Sequence, residues 1–190
     1  MQIKHFLDSL TITLALPSIT TGLRIIDIGT GAGFPGLPLK IILPEIKLTL
    51  LEATGKKTAF LSNVVSKLGL EDIEILSGRA EELAHKPVYR ESFDIALARG
   101  VADLATLAEL TLPFCAITGS LIAQKTEPFD VELGRADKAI KAMGGELRKI
   151  IGIHLNDYPE GRILMIIDKI SHTPPEYPRR PGMPAKKPIK

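Results

Sequence analysis

The sequence predicts an α/β protein with a mostly parallel, seven-stranded sheet that ends in an antiparallel pair of strands. Three observations support this fold class. Short apolar runs alternate with helical patterns, a glycine-rich loop follows the first of these runs, and the last two strands have no helical segment between them. This ending differs from the six-stranded parallel sheet of dinucleotide-binding proteins.

The spacing of apolar residues along the chain predicts the helices and strands. Residues 3–16 predict a helix with one apolar face formed by Ile3, Phe6, Leu7, Leu10 and Leu14, and Pro17 stops the pattern. Strands are predicted at residues 23–26, 47–52, 73–76, 93–98 and 119–124, and helices at 56–68, 103–112 and 132–143. The closing strands are predicted at residues 147–153 and 162–168, joined by a hairpin through Asn156, Asp157, Pro159 and Gly161.

Composition limits the class of protein. A chain of 190 residues with 45% hydrophobic residues can form one domain with a buried core. The single cysteine, Cys115, excludes an internal disulfide framework and suits a reducing compartment. No apolar run reaches about 18 residues, and the first ten residues are too polar for a signal peptide. We therefore expect a cytoplasmic monomer without a membrane segment.

The loop after the first strand predicts a nucleoside-binding site. Its glycines, at positions 29, 31, 33 and 36, also satisfy a dinucleotide fingerprint, so the loop alone is weak evidence. A pyrophosphate needs free N–H groups at the following helix, however, and Pro35 and Pro38 remove two of them. Asp27 before the loop would face a cation better than a phosphate. The loop thus favours S-adenosylmethionine, with Gly31 in the site.

Carboxylates follow the next two strands. Glu52 ends the second predicted strand, where such folds place the acid that binds the ribose hydroxyls. Ala80 and Glu81 follow the third strand and would lie beside the adenine. Two structural alternatives stay open: Glu52 as a solvated acid at a strand end, and Glu81 as a first-turn helix acid favoured by the helix dipole.

The last twenty residues differ from the rest of the chain. Residues 171–190 contain six of the fourteen prolines and carry a net charge of +4, which leaves the preceding residues at −2. A basic segment on a mildly acidic domain is typical of nucleic-acid binding. We therefore expect a flexible tail that binds RNA phosphates through Arg179, Arg180, Lys186 and Lys187, the alternative being a disordered end that only aids solubility.

Four segments together resemble one protein family. His5-Phe6-Leu7-Asp8-Ser9-Leu10, the loop at residues 27–38, Arg79-Ala80-Glu81 and Ala98-Arg99-Gly100-Val101 are similar to the bacterial small-subunit rRNA guanine-N7 methyltransferases, and the similarity extends into the tail. The resemblance implies a Rossmann-like, class I S-adenosylmethionine-dependent fold. It implies methyl transfer to N7 of a guanine in the 530 loop of 16S rRNA, on free rRNA or the small ribosomal subunit.

The resemblance also assigns residues to roles. It implies a cofactor site formed by Gly29, Gly31, Phe34, Glu52, Ala53, Thr54, Ala80, Glu81 and Arg99. Two features depart from the family. Its members have several dozen residues of helix before the His-Phe-Leu-Asp-Ser-Leu segment, so we expect either a shortened cap, residues 3–16, on a methyltransferase domain of residues 1–170, or a chain that starts late relative to the family. Gln124-Lys125-Thr126 replaces Leu-Lys-Gly.

The expected chemistry needs no general base, because guanine N7 carries an exposed lone pair. Cys115 lies in an apolar stretch, and the four histidines lack metal-ligand spacing. Arg99 and Lys125 could orient the guanine or form structural ion pairs. Two other functions stay open: methyl transfer to a different substrate, and a cofactor-binding or RNA-binding module without turnover.

Overall fold

A computed structural model describes residues 3–126, 128–154 and 161–189. The strands are β1 (Arg24–Ile28), β2 (Lys47–Glu52), β3 (Ile73–Ser77), β4 (Phe93–Arg99), β5 (Cys115–Thr126), β6 (Gly145–Ile153) and β7 (Arg162–Lys169). The helices are α1 (Asp8–Leu10), α2 (Gly36–Ile42), α3 (Gly55–Leu68), α4 (Ala80–Leu83), α5 (Leu104–Thr111), α6 (Asp130–Ala142) and α7 (Met183–Lys186). None of the helices in the described ranges is long and apolar enough to cross a membrane.

The seven strands form one sheet in the order β3-β2-β1-β4-β5-β7-β6. Strands β1 to β5 are parallel to one another, whereas β7 lies antiparallel between β5 and β6. The predicted fold class is therefore confirmed. The predicted hairpin residues Asn156, Asp157 and Pro159 lie outside the described ranges.

Successive side chains of each central strand lie on opposite faces of the sheet, so the core has two layers. Ile25 of β1 packs in the layer that contains α2 and α3, whereas Ile26 packs in the layer that contains α5 and α6. Because both faces are covered, β1 and β2 are apolar along most of their length, as parallel strands usually are. The polar ends of the parallel strands therefore meet at one carboxyl edge of the sheet.

The N-terminal segment, residues 3–15, departs from the predicted helix. It consists of a π-helical stretch (Ile3–Leu7), the single turn α1 and a 3-10 helix (Thr11–Ala15). The face expected to be buried is turned outward, since Leu14 is 62% exposed. Asp8 and Ser9 are buried instead, because they find hydrogen-bond partners at the carboxyl edge of the sheet. The hydrophobic periodicity therefore predicted the wrong buried face, because polar side chains can be buried when they have hydrogen-bond partners.

The C-terminal tail, residues 171–189, packs on the body, so the expectation of a flexible tail is wrong. Arg90, in the loop before β4, donates to the carbonyls of Thr173, Pro174 and Tyr177 at 2.8–3.1 Å. The hydroxyl of Thr106 on α5 donates to the carbonyl of Pro184 at 3.1 Å. A proline-rich segment forms few backbone bonds within itself, and here body side chains supply the donors.

Candidate active site

The glycine-rich loop forms a floor of backbone at the carboxyl end of β1. Gly29, Gly31 and Gly33 have φ angles of +69°, +62° and +95°, which are favourable for glycine and strained for other residues. The amide of Gly29 donates to the carbonyl of Leu51 at 2.9 Å, so the floor is tied to β2. No side chain lies within 4 Å of the position that a Cβ would take at Gly31, so a ligand can approach the backbone there.

Asp27 supports this loop from below and does not face a ligand, contrary to our expectation. Its side chain is fully buried, and its Oδ2 accepts hydrogen bonds from the Thr30 hydroxyl at 2.6 Å and the Gly36 amide at 2.9 Å. Burial raises the pKa of Asp27 from 3.8 to about 6, against the lowering effect of these hydrogen bonds and of Arg99. The carboxyl group therefore spans the loop and the start of α2.

Glu52 lies across the loop at the end of β2. Its Oε2 accepts from the Gly31 amide at 3.1 Å, its Oε1 accepts from the Thr54 amide at 2.9 Å, and Lys57 lies 3.6 Å away. Burial alone would raise the pKa of Glu52, but the hydrogen bonds from Thr54 and Gly31 and the charge of Lys57 outweigh it and lower the pKa. Glu52 is thus an ionised acceptor fixed beside the loop.

Ala80 and Glu81 begin α4, directly after the loop that follows β3. Ala80 is 9% exposed. The Glu81 side chain is also buried, and its Oε1 accepts from the Gly182 amide in the tail at 2.9 Å. The carboxylate of Glu81 is thus turned to the tail, and the place of Glu81 beside the adenine stays a prediction.

Arg99 connects the end of β4 to the N-terminal segment. Its Nη1 lies 3.2 Å from Asp8 Oδ2 and 3.2 Å from Ser9 Oγ. Its guanidinium carbon lies 5.2 Å from the centre of the Phe34 ring, which also contacts the His5 ring. The N-terminal segment thus contacts the glycine loop at Phe34 and positions Arg99.

A cavity of about 690 Å³ opens beside this arginine, at the carboxyl ends of β4 and β5. Its polar lining includes Arg99, Gln124 and Arg162. Lys125 also lines it, but its Nζ pairs with Glu132 at 2.5 Å and donates to the Ala102 carbonyl at 2.7 Å. Both Lys125 and Arg99 therefore form the structural ion pairs that were the alternative to orienting the guanine, Lys125 with Glu132 and Arg99 with Asp8.

Sequence reasoning missed three residues around this cavity. Asp8 is buried between Arg99 and Arg162, whose Nε is 3.9 Å from Asp8 Oδ1. Glu132 pairs with Lys125 and accepts from the Leu104 amide at 2.6 Å. The acid in the middle of the His5–Leu10 segment was a signal for Asp8. No short motif marks Arg162 or Glu132.

The four tail cations separate into two groups. Arg179 forms a bidentate pair with the fully buried Glu109, with contacts of 2.6 and 2.8 Å, so its guanidinium group is held within the protein, unlike the charged groups of the other predicted RNA contacts. That pair, with the charge on Glu109, raises the pKa of Arg179. Arg180, Lys186 and Lys187 are exposed on the surface.

The strand order, the antiparallel β7 and the glycine loop define the class I methyltransferase fold, whose methyl donor is S-adenosylmethionine. Solved structures agree. TrmN from Thermus thermophilus superposes with a TM-score of 0.65 at 20% identity, over 86% of this chain and 48% of that one. A mutant of MtNAS in complex with S-adenosylmethionine gives a TM-score of 0.66 at 15% identity, over 90% and 63% of the two chains.

Sequence comparison narrows the class to one family. The profile of GidB, described as rRNA small subunit methyltransferase G, matches residues 1–159. The ribosomal RNA small subunit methyltransferase G of Dehalococcoides mccartyi strain BAV1 is 53% identical over 189 residues, all of this chain and 80% of that protein. The same enzyme from Moorella thermoacetica is 50% identical over 186 residues, 98% of this chain and 77% of that protein. The chain belongs to the rRNA small subunit methyltransferase G family.

Proposed function

We propose that this chain transfers a methyl group from S-adenosylmethionine to N7 of a guanine in the 530 loop of 16S rRNA. One observation carries the proposal: the glycine floor, with Glu52 bonded to it at Gly31, lies at the same sheet edge as the 690 Å³ cavity lined by Arg99 and Arg162. A cofactor on the floor and a base in the cavity would be neighbours. The family of the chain supports RNA as the source of the base.

The residues present fit the cofactor. Gly31 leaves room above the backbone, Gly29 packs against Val101 at the side of the loop, and Phe34 lies beside Arg99. A carboxylate has about four acceptor sites, so Glu52 can still receive the ribose hydroxyls while it bonds Gly31 and Thr54. Ala53 and Thr54 border the ribose end, and the backbone of Ala80 and Glu81 borders the adenine. Bound S-adenosylmethionine supplies an electrophilic methyl group.

The protein's part in the reaction is alignment. N7 of guanine attacks through its own lone pair, so no side chain has to remove a proton first. Arg99 lines the cavity with 17% of its side chain exposed, and we assign it to orient the guanine near the glycine floor. Lys125 acts indirectly, because its pair with Glu132 holds the wall of the cavity.

The RNA surface extends from this cavity to the tail. We assign Arg180, Lys186 and Lys187 to phosphate contacts, because their side chains are exposed and the docked tail holds them in place. Residues 1–170 would then form the methyltransferase domain, acting as a monomer in the cytoplasm, and the tail would be a fixed extension of that domain.

The experiment is methyl transfer with an identified product. The protein is incubated with labelled S-adenosylmethionine and either unmodified 16S rRNA or small subunits, and the labelled base is mapped. We expect 7-methylguanine at one position in the 530 loop. Label at another base or position, or in no RNA at all, would contradict the proposal.

A further inference from the structure

A second cavity, of about 410 Å³, lies next to the first. Its apolar walls are Ala105 at the start of α5, Pro128, Val131 on α6 and Pro188 of the tail. Val131 is 67% exposed, more than the exposed aliphatic side chains Ile41, Ile42 and Leu68 of the other described helices, so it can contact a ligand in this cavity. The cavity is therefore an apolar recess that involves the body and the docked tail together.

The two cavities share walls. Pro128 and Glu132 line both, and the Glu132 carboxylate is held between Lys125 on the side of the first cavity and the Leu104 amide on the side of the second. A chain whose target base enters the first cavity would therefore pass its next nucleotide over Pro128.

The charges in the second cavity decide which part of a nucleotide fits. Asp103 and Glu132 line it, with Arg135 at the rim. Two carboxylates disfavour a phosphate, but their remaining acceptor sites suit the amino groups of a base. The flat apolar faces of Pro128 and Pro188 suit the face of a base, as stacking surfaces do in single-strand binding proteins. The phosphates would run outside, towards Arg135 and the exposed tail cations Lys186 and Lys187.

We propose that this second cavity binds the base of the nucleotide next to the target guanine, splayed out of its stack. The inference rests on the proposed function and adds to it a second base-binding site. It also gives the docked tail a part in binding a base, besides its phosphate contacts, because Pro188 forms one wall.

The test compares valines on opposite sides of the molecule. Val131→Asp and Val131→Thr alter the cavity wall. The control variants Val88→Asp and Val88→Thr make the same changes at a residue that is 63% exposed. Val88 lies in the loop before β4, at the amino edge of the sheet. Asp in the first turn of α6 is compatible with the helix, so the variants should fold. We expect KM for RNA to rise about tenfold in Val131→Asp and about threefold in Val131→Thr, with kcat and cofactor affinity unchanged.

Salt and the Val88 variants separate the outcomes. A defect that persists at higher salt and appears in the uncharged Val131→Thr supports base binding, because simple charge repulsion is screened. A defect confined to Val131→Asp that disappears with salt overturns the inference, as do Val131 variants that behave like the Val88 variants. In both of those cases the wild type still forms 7-methylguanine, and the proposed function stands. If the wild type forms none, the proposed function fails and this inference fails with it.

Discussion

At the scale of single residues, Glu52 combines a structural and a binding task. Its carboxylate already accepts from Gly31 and Thr54, and ribose hydroxyls would add two charge-assisted bonds. We expect Glu52→Ala to weaken S-adenosylmethionine binding by about 1.5 to 3 kcal/mol, measured by calorimetry. Glu71→Ala, an exposed acid before β3, is the matched control. Unchanged affinity in a folded Glu52 variant would remove it from the site.

Asp27 makes stability depend on pH. Its pKa is about 6 in the fold, against an ordinary 3.8, so the folded state binds the proton more tightly than the unfolded chain does. Its contribution to stability is therefore full below pH 3.8 and lost as pH rises through 6. The wild type should gain up to about 3 kcal/mol of unfolding free energy, from this group, between about pH 7 and pH 4.

Asp27→Asn should lack this gain, because an amide does not titrate in that range. Urea unfolding of the variant and the wild type at several pH values separates the contribution of Asp27 to the unfolding free energy from the contributions of other titratable groups. Asp72→Asn, an exposed acid before β3, should keep the pH dependence of the wild type. If Asp27→Asn keeps the pH dependence of the wild type as well, burial does not raise the pKa of Asp27, and this explanation of the pH dependence is wrong.

At the scale of elements, two variants in the N-terminal segment would test which of its faces is buried. Asp8→Ala removes the partner of Arg99 and Arg162 at a site where the Asp8 side chain is 4% exposed. Leaving these guanidinium groups without their carboxylate should lower the unfolding free energy by roughly 2 to 4 kcal/mol. Leu14→Ala, on the face that periodicity predicted to be buried, should change it by less than about 0.5 kcal/mol. The reverse order in chemical denaturation would restore the predicted helix orientation.

The tail gives a second comparison at this scale, between adjacent arginines. Arg179→Ala would leave the Glu109 carboxylate buried without its partner, at a cost of about 3 kcal/mol or more. Arg180→Ala removes an exposed cation and should leave stability nearly unchanged. Denaturation midpoints, together with the rate of proteolysis within residues 171–189, would show the difference. Equal stability of the two variants would mean that the tail is not held by this pair.

The elements differ in how far the sequence predicted them. The strands were predictable because burial on both faces leaves continuous apolar runs. The N-terminal segment and the tail were not, because polar side chains hold both, and a polar residue in a sequence does not reveal its partner. The site follows the same rule. Local motifs predicted Gly31 and Glu52, whereas Arg162 meets Asp8 only through the fold.

At the scale of the whole molecule, RNA binding should depend on salt through the exposed tail cations. Replacing Arg180, Lys186 and Lys187 by Ala together removes up to three phosphate contacts. The slope of log affinity against log salt should fall by about 2, with similar losses for all RNA sequences. Affinity for S-adenosylmethionine should hold, since none of these side chains lies at the glycine loop. An unaltered slope would remove the tail cations from the RNA surface.

The position of β7 bears on how the chain can fold during synthesis. β5 pairs with β7 on one side, and β6 reaches the sheet only through β7, although β6 precedes β7 in the chain. Until residue 169 has left the ribosome, β5 therefore has an open edge with the apolar Leu121, Ile122 and Ala123 beside it. Such an edge pairs readily with other chains. A nascent chain that stalls before Lys169 has left the ribosome should aggregate through β5, whereas one that stalls later should already have β7 paired with this edge.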